Sequence, residues 1–387
     1  MRIDLPGGPY TLREPVTWPA VDGPAASRVV YAAAHVVADP LGDNTPGAPA
    51  AVDWDATLRF RHHLWSYGLR VADAMDTAQR NMGLDWAATR ELIRRSAAEA
   101  RTLGDPAELV SCGAGTDHAP DADDLDAITA AYAEQVETVQ ETGAGVIIMA
   151  SRQLARVAGG PKDYHRVYGK LFGLADRPVI LHWLGEMFDP QLAGYWGSRD
   201  VEAATESFLE LIHAHAAMVD GVKVSLLDEE HEVRLRAALP DGVRLYTGDD
   251  FNYPSLIRTG SHALLGIFDA IALAAAAALR ELDAAEAAAD KAEKDRRLAS
   301  YEEIFAPTVP LSRKIFETPT FHYKTGIVFL AWLNGHQDAF AMVNGAQSAR
   351  SLTHLAEVFR LADQAGLLTD QELAVRRMRA LLEVNGL

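Results

Sequence analysis

A lysine inside an apolar strand is chemically conspicuous. The segment Val219-Asp-Gly-Val-Lys223-Val-Ser-Leu-Leu227 contains one. Side chains alternate along a strand, so Val222 and Val224 share one face while Lys223 and Ser225 share the other. In a closed parallel sheet the first face meets helices and the second meets the interior. Loss of water there disfavours the ammonium form, and the neutral amine can attack a carbonyl carbon and form an imine. On these residues alone, a lysine held by a carboxylate near the strand end accounts for the pattern equally well.

His182 directly follows Val179-Ile180-Leu181, one strand earlier. A lone histidine there is more often a core residue bonded to a backbone carbonyl. Its place beside the lysine strand also suits it to move protons near neutrality. Asp249 and Asp250 follow Gly248, and one of them is expected to cap the helix that starts near Tyr253. Asp76 and Thr77, Asp117, Glu186 and Ser225 complete the candidate substrate-binding set, because each falls at or just after the end of a strand. Loops are polar wherever they occur, which by itself explains many such residues. No HxH or HExxH spacing points to a metal: His213 and His215 fall in a helix, where a two-residue spacing turns the rings apart. Cys112-Gly-Ala-Gly-Thr116 lacks the helix start and later acid of a dinucleotide site.

These residues need elements to hold them. Strand-like apolar runs fall at 28–35, 69–74, 108–112, 146–150, 178–183, 221–226, 243–247 and 263–268. Helical patterns at 55–67, 85–103, 124–142, 162–174, 201–218, 229–239 and 253–259 lie between them. This alternation predicts an α/β fold with a parallel sheet, here a (β/α)8 TIM barrel whose site lies at the C-terminal ends of the strands. Residues 270–305 read as a long helix with at most one break, and two or three further helices fill 309–387. Residues 2–12 read as a hairpin around Pro6-Gly7-Gly8-Pro9. The expected organisation is an N-terminal extension over 1–27, the barrel over 28–296 and a C-terminal helical extension over 297–387.

Composition narrows the partners. The net charge of −18 disfavours nucleic acid and anionic membrane surfaces. The single cysteine, Cys112, excludes an intramolecular disulfide and fits a reducing cytoplasm. Residues 1–20 show no signal-peptide pattern, and the alanine-rich run 271–279 is too short to span a bilayer. A cytoplasmic location is therefore expected.

The motifs in their order resemble the dihydrodipicolinate synthase and N-acetylneuraminate lyase superfamily. Gly221-Val-Lys223, followed by Val-Ser-Leu-Leu-Asp228, is similar to the family's strand six with its imine-forming lysine. Tyr246-Thr-Gly-Asp-Asp250 is similar to its turn after strand seven, and Arg177-Pro-Val-Ile-Leu-His182 to its strand five. Residues 124–150 resemble its helix three and strand four, and 316–335, with Pro319 and Lys324, its C-terminal helices. The resemblance runs from about Arg28 to the end of the chain and implies a class I aldolase-type lyase, a cofactor-free covalent imine on Lys223, and homodimers or homotetramers. Two departures matter. His182 stands where the family has a proton-relaying tyrosine, and Met75-Asp-Thr-Ala-Gln79 replaces the Gly-Thr-Thr-Gly-Glu that holds a 2-oxo acid carboxylate. Asp76 would repel that carboxylate at close range.

The expected function is therefore a Schiff-base-forming lyase acting by aldol cleavage, condensation or dehydration on a keto sugar derivative, not on simple pyruvate. Lys223 and His182 are the catalytic candidates, and the chain is placed in an uncharacterised branch of the superfamily. Trp183, Phe188, Tyr195 and Trp196 are candidates to stack on a sugar face, to form a lid or to make a subunit contact. One alternative is a metal-dependent sugar isomerase or epimerase with Asp249, His182, Glu186 and Asp117 as ligands of a divalent ion. Another is a non-catalytic sugar-binding barrel.

Overall fold

The computed structural model describes residues 1–21 and 23–387; position 22, within the expected N-terminal extension, lies outside the described residues. The chain opens with an antiparallel hairpin, β1 (Arg2–Leu5) and β2 (Gly8–Thr11). Eight parallel strands follow: β3 (Val30–Ala33), β4 (Arg70–Asp73), β5 (Val110–Ala114), β6 (Gly145–Ile148), β7 (Val179–Leu184), β8 (Val219–Ser225), β9 (Arg244–Thr247) and β10 (His262–Leu265). Each pairs with the next in sequence, and β10 returns to β3, closing the barrel. Every expected strand segment overlaps one of them.

Between the strands run α1 (Trp54–Ser66), α2 (Trp86–Leu103), α3 (Pro106–Leu109), α4 (Leu125–Gln140), α5 (Arg152–Val157), α6 (Pro161–Leu174), α7 (Val201–Ala214), α8 (Glu229–Ala238) and α9 (Tyr253–Arg258). Aspartates start many of them. Asp53, Asp85, Asp124, Asp200 and Asp228 each accept a first-turn backbone N–H of α1, α2, α4, α7 and α8, a cap worth about 1 kcal/mol. Buried residues at helical spacing, such as Leu92, Ile93, Ser96 and Ala100 of α2, turn each helix onto the outer face of the sheet.

The sheet separates two apolar layers. Outside it lies the large core shared with the helices. Inside, Tyr31, Ala33, Ala72, Met75, Ile147, Met149, Ile180, Tyr246 and Leu264 form a separate cluster. Gly221 makes room for this layer: a Cβ there would lie 2.5 Å from Cε2 of Tyr246 and 2.6 Å from the Arg244 carbonyl oxygen. One ion pair ties a helix to the outer face. Arg61 of α1 donates to both oxygens of Asp73 on β4, at 2.8 and 3.1 Å, with both side chains fully buried.

The segment after β10 differs in detail from expectation. The strand ends at Leu265, and Ile267 already belongs to the short helix α10 (Ile267–Ala270), because its N–H is taken by Asp250 Oδ1 at 2.9 Å. The predicted long helix divides further into α11 (Ala272–Ala287) and α12 (Lys291–Phe305), which pack on each other as an antiparallel pair. Ala288 is extended and Asp290 caps α12 by accepting from Glu293 N, so the helix restarts there. The 296/297 boundary thus falls within a helix. Helices α13 (Thr308–Ile315), α14 (Tyr323–Leu333), α15 (Leu352–Gln364) and α16 (Gln371–Val384) complete the chain.

These last helices join both ends of the molecule. Tyr10 of β2 donates to Asp363 of α15 at 2.6 Å, and Trp18 Nε1 donates to the Gly366 carbonyl. Thr77 and Tyr323 share a 2.8 Å hydrogen bond, which ties α14 to the loop after β4 at the C-terminal end of the barrel. Among the described residues no helix is long and apolar enough to cross a membrane.

Candidate active site

Lys223 and His182 are register partners across β8 and β7. The pair Ile180–Gly221 lies two residues earlier in the same register, and Ile180 belongs to the inner cluster. Alternation therefore turns His182, Lys223 and Ser225 inward as well. Lys223 is 7% exposed and His182 0%. Burial pushes the Lys223 amine below the ordinary lysine range, while the negative charges of Asp76 and Asp250 oppose the shift. Burial, assisted by the charge of Lys223, drives His182 well below the ordinary histidine value. Neither ring nitrogen of His182 has a hydrogen-bond partner among the described residues.

Asp250 is the companion carboxyl. Burial raises it to about 7, against a backbone hydrogen bond from Ile267 and the Lys223 charge, which both lower it. Its neighbour Asp249 accepts from the backbone of Phe251 and Asn252 and from Asn252 Nδ2, so it shapes the turn before α9. Gly248 lets this turn approach the lysine. A Cβ there would lie 2.2 Å from Ser225 Oγ and 3.0 Å from Lys223 Cε.

Asp76 and Thr77 sit on a constrained loop after β4. Ala74, Gln79 and Asn81 adopt left-handed backbone conformations, with φ of 52°, 65° and 60°, a cost that folded proteins concentrate at functional sites. Arg80 holds the loop: its Nη1 donates to the carbonyls of Ala74 and Gly113, each at 3.1 Å, and its Nε donates to Asp117 Oδ2 at 2.9 Å. Asp117 is thereby committed to Arg80 and Gln135, and Arg80 holds it well below the usual carboxylate range. It serves as a support for the loop that carries Asp76.

A cavity of about 340 Å³ opens at this end of the barrel, lined among others by Asp76, Arg80, Arg152, Phe188, Asp189 and Lys324. Sequence reasoning did not assign Arg80, Arg152, Asp189 or Lys324 to the site. Arg152 donates to Asp189 at 2.6 Å. Lys324 reaches the cavity from α14, and only the folded C-terminal helices bring it there. Phe316 and Tyr323 stack with centroids 4.3 Å apart, and Phe188, which lines the cavity, packs on both edge-on.

Other candidates are placed elsewhere. Glu186 is exposed and lines a separate cavity with Trp183, Arg199 and Asp228. Trp183 alternates with His182 and points outward, against Trp196, Phe208 and His231. Trp196 is fully buried, and Tyr195 is bonded to Ser151 N and Tyr168. Of the four aromatics weighed for sugar stacking, only Phe188 lines the cavity that holds Asp76 and Lys324. Asp249, His182, Glu186 and Asp117 are not gathered as a ligand set. Among the described residues, no three His, Cys, Asp or Glu side chains are placed to hold a metal ion.

Solved structures share this architecture. The chain is similar to a prophage protein of the dihydrodipicolinic acid synthase family from E. coli K12, in complex with pyruvate: TM-score 0.65, 13% identity, 89% of this chain and 100% of that one. It is also similar to dihydrodipicolinate synthase from Aquifex aeolicus, with TM-score 0.64, 13% identity, and coverage of 89% and 99%. The 4-hydroxy-tetrahydrodipicolinate synthase of Methylacidiphilum fumariolicum SolV gives TM-score 0.64 at 12% identity, with coverage of 92% and 99%. Identities this low establish the shared fold. No curated protein matches the chain by sequence. A family model does match, over residues 5–387, and the chain belongs to that family, described as "Protein of unknown function (DUF993)".

Proposed function

We propose that this protein is a Schiff-base-forming lyase, performing aldol cleavage, aldol condensation or dehydration on a keto sugar derivative. The observation that carries this reading is Lys223: an amine inside the barrel, lowered by burial and with no carboxylate in ion-pair contact among the described residues. Its neutral nitrogen attacks the substrate carbonyl carbon. Loss of water from the resulting carbinolamine leaves a protonated imine, which draws electrons from the adjacent carbon–carbon or carbon–hydrogen bond as that bond breaks.

His182 and Asp250 take different roles in proton movement. His182 was the sequence candidate for a carrier near neutrality, but burial keeps its ring neutral there, so it acts as a hydrogen-bonding imidazole. Asp250, raised to about 7, is the group poised to give and take the proton. Asp76 and Thr77 orient substrate hydroxyls. Asp76 also makes a carboxylate next to the reacting carbonyl unfavourable, which supports a sugar-like ketone over simple pyruvate. The scattered positions of Asp249, His182, Glu186 and Asp117 favour this reading over the metal-dependent isomerase.

The test is reductive trapping. Incubation with keto sugars and borohydride should add the reduced ketone's mass to Lys223, located by peptide mapping. Full turnover accompanied by an unmodified Lys223 would eliminate the mechanism.

A further inference from the structure

Lys324 has no part in the reaction above, yet it lines the same cavity as Asp76. It is the second residue of α14 and is only 4% exposed. Of its three donor protons, one is used on the Phe321 carbonyl oxygen at 3.1 Å. Its ammonium lies 4.6 Å from the centroid of the Tyr323 ring, an aromatic face that supplements that bond but carries no charge.

The other lining cations differ from it. Arg80 is ion-paired with Asp117 and Arg152 with Asp189. Lys324 has no ion pair among the described residues, although it is nine-tenths buried and lines an open cavity. A buried charge left without a counter-charge in contact is costly, and a bound anion would offset that cost. Burial lowers Lys324 to about 8, and the charges of Asp76 and Asp189 work against that shift. A bound anion would restore its full charge.

We propose that Lys324, assisted by Arg152, is an anion subsite, and that the substrate is a ketone bearing a phosphate or carboxylate separated from its carbonyl carbon. This rests on the imine reading for the word ketone, but the subsite stands on its own geometry. In this arrangement Asp76, whose charge acts on both Lys223 and Lys324, meets the substrate hydroxyls, and Lys324 and Arg152 meet the anion. A volume of about 340 Å³ lies within the usual range of about 300–1,000 Å³ for small-molecule sites.

The test uses full-length Lys223→Met protein, which cannot form the imine, so its outcome is independent of trapping at Lys223. Calorimetry compares D-fructose with D-fructose 6-phosphate and 5-keto-D-gluconate, a neutral, a phosphorylated and a carboxylated polyhydroxy ketone. At least one anionic ketone should bind about tenfold tighter than fructose, and which one does so identifies the anion. Adding Lys324→Met should reduce that preference to about twofold or less, while Lys324→Arg should keep most of it. Equal binding of all three, or no measurable binding of any, overturns the subsite. So does a preference that survives Lys324→Met. Should Lys324→Met fail to fold, wild-type protein decides: inorganic phosphate must slow acetylation of Lys324 relative to surface lysines, and equal rates overturn the proposal.

Discussion

His182 and Lys223 face each other in register across β7 and β8, and the lysine's charge helps to hold the histidine neutral. The relationship runs through the interior of the barrel, where burial lowers both groups. It leaves Asp250 as the group in this neighbourhood raised to about 7. A lysine lowered by burial, a histidine driven well below its ordinary value and a carboxyl raised to about 7 therefore share this interior.

The first prediction concerns Asp76, whose negative charge favours the ammonium form of Lys223. Asp76→Asn removes that support, so the neutral amine should appear at lower pH. The rate of cyanoborohydride trapping at Lys223 should rise with pH in both proteins, with the rise displaced toward acid in the variant. Peptide mass spectrometry over a pH series reads this out; a displacement toward alkali would contradict the assigned electrostatics.

The second concerns the buried pair of Arg61 and Asp73. Arg61→Met leaves a carboxylate uncompensated between α1 and β4 and should cost about 3–5 kcal/mol in denaturant unfolding. Adding Asp73→Leu should recover most of that loss. If the double variant remains as unstable as the single one, the cost lies in packing and not in charge.

A third test is steric. Gly221→Ala places a methyl group 2.5 Å from the Tyr246 ring and 2.6 Å from a backbone carbonyl. Neither can yield without disturbing the inner layer, so destabilisation of about 1–3 kcal/mol is expected. A variant as stable as wild type in urea would show that Tyr246 can move.

Glu232 offers a pH signature. This α8 carboxyl accepts from Thr247 and Ser261 and is raised from 4.5 to about 8 by burial. Its neutral form favours folding fully below the unfolded value of 4.5, and that contribution is lost as pH climbs through about 8. Relative to wild type, Glu232→Gln should therefore gain stability steadily from about pH 5 to about pH 8, with a slope of at most about 1.4 kcal/mol per pH unit. Unfolding curves that keep a constant separation across this range would refute the assignment.

Much of the frame was readable along the chain because its signals are local. Apolar runs such as 179–184 mark strands, aspartate caps mark helix starts, and a lysine two residues from a serine shares its face. The positions of Lys223 and His182 inside the barrel follow from that alternation once the sheet closes. The helical segment 270–305 was harder, because alanine-rich sequence supports a helix almost anywhere and the restart at α12 depends on a single cap, Asp290 accepting from Glu293 N.

Sequence alone determined the barrel, the inward lysine and the polar strand ends, since each depends on residues a few positions apart. Tertiary structure alone decided which of those ends share a cavity. It turned Trp183 and Trp196 into core, sent Glu186 to another surface and committed Asp117 to Arg80. It also brought Lys324 to Asp76 from nearly 250 positions away. The reason is physical: charge and burial act through space, and the distances that set them arise only when the C-terminal helices fold back over the open end of the sheet.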